Sequence, residues 1–110
     1  MVIRLRSDVI VSGLQRQCEA AGLMFMVLDR GHEEGGLVLI KWIDGTAVQI
    51  FREGTVNDRR RWTTRGAPIP EADAATILAK ERGFDADAWV LEVIGPMAKA
   101  DKILEPVAEA

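Results

Sequence analysis

The densest group of chemistry-bearing side chains is Arg59-Arg60-Arg61-Trp62, with Arg52 and Arg65 close by in sequence. Between Arg52 and Arg65, five arginines are set against only Glu53 and Asp58, a local net charge of +3. Guanidinium groups grip phosphate oxygens in pairs, and an adjacent indole can stack on an unpaired base. Arg52, Arg59, Arg60, Arg61, Trp62 and Arg65 are therefore the candidate binding residues, for nucleic acid or another anionic ligand. The same residues also suit an edge strand that charge protects from sheet-to-sheet pairing, with Trp62 packed inward. Contact with a protein partner is the third reading.

The remaining candidates are weaker. His32 is the sole histidine, and Asp29, Glu33 and Glu34 lie near it. A metal would need a second nitrogen or sulfur ligand, and Cys18, the only cysteine, falls on an apolar helical stripe. His32-Glu33 opens like a zinc-protease motif, but Gly36 stands where the second histidine belongs. This reads as a solvated loop with no metal site. Asp85 and Asp87 could divide acid and base work only where their surroundings push their pKa values apart, and Asp is a routine turn former. Cys18 has no basic neighbour and reads as a small buried hydrophobe. Phosphate-cradling glycine loops, dinucleotide fingerprints, nucleophile elbows and paired cysteines are all missing from the sequence. The expectation is a protein with no catalytic residue and no cofactor, not an enzyme.

Length and charge bound the setting. At 110 residues the chain makes one domain, large enough for a core without metal or disulfide support. A single cysteine excludes an internal disulfide framework and fits a reducing compartment. No apolar run is long enough to span a bilayer, and Arg4 and Arg6 interrupt any secretory signal, so a soluble, cytoplasmic protein with no membrane contact is expected. The net charge of -3 divides into +2 over residues 1–65 and -5 over residues 66–110. An acidic total disfavours bulk nucleic-acid binding, although a basic patch still acts within a Debye length.

The elements that must position these residues follow from periodicity. Ile10, Leu14, Cys18 and Ala21 predict a helix over 8–21, with Ser7 as N-cap and Gly22 as a left-handed C-terminal cap. Leu23 to Leu28 is apolar on both faces, as an interior strand would be, and Met24, Phe25 and Met26 read as core filling. After a polar, glycine-rich loop come strands over 37–43 and 46–53, with Asp44-Gly45 as the hairpin turn. These three strands are expected to form an antiparallel meander. A basic strand over 59–65 follows, then a helix from Glu71 to Gly83 behind Pro70, with Ala74, Ile77 and Leu78 as its stripe. Ala88 to Ile94 is the last strand, and Gly95-Pro96 closes the compact unit.

Several segments, in this order and spacing, resemble one family. They are Arg4-Leu5-Arg6-Ser7-Asp8, Arg30-Gly31, Asp44-Gly45-Thr46, Arg60-Arg61-Trp62, Glu81-Arg82-Gly83-Phe84-Asp85 and Asp87-Ala88-Trp89-Val90. The chain is similar, from Arg4 to Ile94, to the domain-of-unknown-function 1491 family of short bacterial proteins. The resemblance implies a bacterial, soluble, single-domain protein and carries over no activity, cofactor or catalytic residue. It draws attention to Arg4, Arg6, Arg30, Arg61 and Asp85, which lie inside the matching segments.

The expected architecture is α+β: an antiparallel sheet of four to five strands with two helices packed on one face. Residues 1–96 form the compact domain, and residues 97–110 form a tail that either docks, as a short helix, or frays. With helices on one face only, Trp42, Phe51 and Trp62 are expected to leave apolar area exposed on the other. A homo-oligomer, most simply a dimer, would cover it. The expected function is a binding or assembly module that self-associates, with nucleic-acid or anionic-ligand binding through the arginine segment as the alternative.

Overall fold

The structure is a computed structural model that describes residues 6–56, 59–64, 66–104 and 107–109, with side chains described for 6–54, 61–64 and 66–104. The first helix, α1, runs Ser7–Ala20, and β1 follows as Met24–Asp29. The hairpin of β2 (Val38–Asp44) and β3 (Ala47–Val56) leads to β4 (Arg59–Thr64). Then come α2 (Glu71–Phe84), β5 (Trp89–Ile94), a short helical turn Met97–Lys99 that continues into α3 (Ala100–Ile103), and β6 (Val107–Glu109). The class is α+β, as expected, with a mixed, mostly antiparallel sheet of five strands extended by the short β6.

The helices are placed differently from the expectation of one covered face. Ile10, Val11, Leu14 and Cys18 of α1, with Ala100 and Leu104, pack on Val38, Ile40, Trp42, Phe51, Trp62, Trp89, Leu91 and Val93. Leu78 of α2 packs instead on Leu39, Ala88 and Val90, which alternation puts on the opposite face. The sheet therefore lies between α1 and α3 on one side and α2 on the other. Trp42, Phe51 and Trp62 are only 0%, 3% and 6% exposed, so the apolar area expected there is covered. Their cover comes from α1 and from the segment after Gly95, which the sequence left uncertain. That segment is tied down further by Lys99 Nζ donating to Ala21 O at 2.7 Å and Met97 N donating to Asp44 Oδ2 at 2.9 Å.

The meander is also corrected. The strand order is β1-β5-β2-β3-β4-β6, so β5 lies between β1 and β2 and pairs parallel with β2. The two-residue loop Gly45-Thr46 forces β2 and β3 to be neighbours, with Gly45 at φ +62° in the left-handed region. The loop from Arg30 to Leu37 has no such effect: it spans two strand spacings, roughly 10 Å, without strain. The strands buried on both faces are β2 and β5, in the middle of that order. The strand read as interior, β1, becomes an edge with Met24, Met26, Val27 and Leu28 exposed.

The helix ends agree with the sequence in one case and differ in another. Gly22, at φ +77°, follows α1 as the expected left-handed residue. Ser7 does not cap. Arg6 holds the N-cap position, while the buried Ser7 hydroxyl donates to Gly36 O in the loop after β1.

Candidate functional site

The arginine segment is divided by the pleat of β4. Trp62 faces Glu53 across the β3–β4 pair, Arg61 faces Gly54, and Thr63 faces Arg52. Side-chain alternation puts Arg61 and Arg52 on the α2 face and Trp62 on the α1 face. Trp62 packs in the main core, so its ring has no free surface on which a base could stack. Arg52 reaches α2, where Nη1 lies 3.2 Å from Glu81 Oε1. Arg61 is half-buried, and its Nε has no hydrogen-bond partner among the described residues. The side chains of Arg59 and Arg60, and the whole of Arg65, lie outside the described residues.

A second cluster forms where the β1–β2 loop, the start of α1 and the end of α2 meet, a place the residue-by-residue reading missed. Its centre is Trp89, whose Nε1 donates to His32 O at 2.8 Å. The Arg30 guanidinium carbon lies over that ring. Arg82 donates to the carbonyls of Ala88, Arg30 and Ala86, and its Nη1 lies 3.5 Å from Asp29 Oδ1. His32 N donates to Asp87 O, and Asp8 N donates to Glu33 O. Arg6 bridges Asp8, Glu33 and Glu34 on the outer rim. The signal that could have found this cluster was the motif order: the segments around Arg6, Arg30, Arg82 and Trp89 are far apart in sequence and converge in space.

Within this cluster the suspected chemical groups hold the backbone. His32 Nδ1 accepts from Glu34 N at 3.2 Å, and Asp85 Oδ1 accepts from Asp87 N at 3.0 Å, a local turn bond. Asp8 is held below the usual carboxylate range, first by its hydrogen bond from Arg6, and the Arg6 guanidinium is raised by the same bond. Burial pushes the Cys18 thiol up to about 11, far from the values of reactive thiolates. Among the described residues no group of three metal-ligating side chains comes together.

Lys41 is the buried cation. It stands on the α2 face of β2, where Nζ lies 2.8 Å from Glu71 Oε1 at the start of α2 and 3.5 Å from Glu92 Oε1 on β5. The Glu71 hydrogen bond raises its pKa above the ordinary value, against the opposing effect of desolvation. This triad fixes the first turn of α2 on the sheet.

The edge of β1 is apolar and open to water. Met24 and Met26 are 64% and 53% exposed on the α2 face, and their pairing partners on β5 are Ile94 and Glu92. Among the described residues no strand pairs with the outer side of β1.

Fold and cluster together define a small α+β domain in which arginines tie a loop onto the end of a mixed sheet. The chain belongs to the DUF1491 family, described as proteins of unknown function, whose model matches residues 5–101. It is similar to a DUF1491 family protein from Caulobacter crescentus CB15 in a crystal structure, with TM-score 0.84 and 28% identity, covering 96% of this chain and all of that one. The solution structure of a protein from A. tumefaciens matches with TM-score 0.81 and 27% identity, covering 96% of this chain and all of that one. Among curated proteins none matches.

Proposed function

We propose that the protein is a non-enzymatic assembly module that self-associates, two copies joining antiparallel along β1. The observation that supports this reading is the makeup of that edge. Met24 to Leu28 contains no charge and no proline, the usual devices that block edge pairing, and its side chains are largely exposed. An identical strand laid antiparallel about a two-fold axis brings apolar residues opposite one another, so no like charges meet. Pairing would also remove Met24, Met26 and Leu28 from water. Sedimentation equilibrium across the micromolar range tests the reading: the wild type is a dimer and Met26→Lys, which places a charge on the edge, is a folded monomer. A wild type that stays monomeric throughout, or a dimer indifferent to Met26→Lys, overturns it.

A second reading, nucleic-acid contact through the arginine strand, draws support from Arg61, whose buried Nε has no partner among the described residues. Its test is a single-stranded oligonucleotide at low salt. Binding that falls steeply with salt and is lost in the Arg52→Ala, Arg61→Ala double variant supports it. No binding at low salt removes it.

A further inference from the structure

We propose that the cleft beside α2 is a binding site for an amphipathic anion, a medium-length hydrocarbon chain ending in a carboxylate. The cleft has a volume of about 410 Å³, the range of small-ligand pockets, and lies on the α2 face above β3 and β4. It exists because α2 packs through Ala74 and Leu78, which leaves the neighbouring stripe of the helix hanging over open sheet. That stripe is Ile77, Lys80, Glu81 and Phe84, at the spacing that aligns residues along one helical side.

The lining is apolar along its length and cationic at its rim. Val48, Ile50 and Ile69 line the cleft together with Ile77 and Phe84, and Phe84 is 82% exposed, a large ring held in water at the end of α2. Seating a hydrocarbon chain there removes apolar surface of both partners from water, which favours binding. Among the described residues, Arg52 and Lys80 are the cations of the lining and Glu81 its only acid. Glu81 is already engaged by Arg52, whereas Lys80 has no ion-pair partner among the described residues. Arg61 extends the positive charge along the same face of the sheet. An apolar body therefore matches the walls and a carboxylate matches Lys80, while a cationic amphiphile would meet repulsion at the same rim. The site is separate from β1, which lies at the other edge of the sheet, so it stands or falls independently of self-association.

The probe is dodecanoate, below its micelle concentration, titrated into isotopically labelled protein and followed by amide shifts. Butyrate serves as the head without the tail, and dodecyltrimethylammonium as the tail with opposite charge. Saturable shifts at Ile50, Thr63, Ile77 and Phe84 are expected with dodecanoate, and none with butyrate. Lys80→Glu and Phe84→Ser, both at exposed positions that leave the core intact, each weaken binding by about tenfold, the equivalent of about 1.4 kcal/mol. The proposal is overturned by absent shifts, by shifts that map to Met24 and Met26, by equal binding of the ammonium probe, or by variants that bind as tightly as wild type.

Discussion

The Arg30 guanidinium carbon lies 4.9 Å from the centroid of the Trp89 ring, and the same indole donates through Nε1 to His32 O. Trp89 thus secures the start of the connection that brings the chain from β1 toward β2, and its backbone N donates to Leu37 O at the far end. The two side-chain contacts differ in weight. A cation over a ring at an exposed site contributes about 0.5–1 kcal/mol, whereas losing the indole donor, which leaves His32 O only the long 3.4 Å contact from Gly36 N, costs about 1–3 kcal/mol. In urea unfolding, Arg30→Ala is expected to lose the smaller amount and Trp89→Phe the larger. Equal losses would show that the ring contact, not the hydrogen bond, holds the loop.

Arg82 acts as a multi-donor clamp for three carbonyls from two segments, Arg30 on one side and Ala86 and Ala88 on the other. Lysine keeps the charge but presents its donors from a single point, so it cannot match a planar fork. Arg82→Ala and Arg82→Lys are both expected to lower stability by about 1–3 kcal/mol, with lysine rescuing less than half. Full rescue by lysine in chemical denaturation would assign the effect to the Asp29 ion pair instead.

Gly31 and Gly36 are required by close approach. A Cβ at Gly31 would meet Asp87 O at 2.2 Å, and one at Gly36 would meet the same oxygen at 1.9 Å. These obstacles are backbone, so they cannot rotate away. Gly31→Ala and Gly36→Ala are each expected to cost roughly 2 kcal/mol or more, while Gly35→Ala, with open space around it, stays within about 0.5 kcal/mol. Thermal unfolding of the three variants distinguishes them.

Two buried groups are expected to make the protein's stability fall in alkali. The Cys18 thiol is raised by burial from 9.0 to about 11, so the stability it contributes is complete below pH 9 and is lost toward pH 11 as the unfolded chain's thiol ionises first. Lys41 is also raised, chiefly by the Glu71 hydrogen bond. Its contribution is complete below its ordinary 10.5 and is lost only as pH rises through the higher folded value. Stability is thus expected to fall in two stages. Cys18→Ala flattens the slope between pH 9 and 10.5, and Lys41→Met flattens the slope above it. A wild-type stability curve that is level from pH 8 to 11 would contradict both assignments.

Local patterns were legible wherever the cause is local. The spacing of Ile10, Leu14 and Cys18 determined α1, Gly22 its end, Pro70 the start of α2, and Asp44-Gly45 the β2–β3 hairpin, because periodicity, caps and two-residue turns act over a few residues. The α+β class follows from the order of those elements. Which strands are neighbours was decided only in three dimensions. The Met24–Leu28 run and the Trp89–Ile94 run are similarly apolar, yet only the second is covered on both sides, since α1 packs on one face and α2 on the other. The arginine segment shows the same division. Its charge was plain in the sequence, but the pleat that sends Trp62 into the core and Arg61 toward α2 depends on the register with β3. A sequence states how apolar each residue is; whether that residue meets water depends on what folds over it, and here α2 covers β2 and β5 but leaves β1 and the cleft above β4 open.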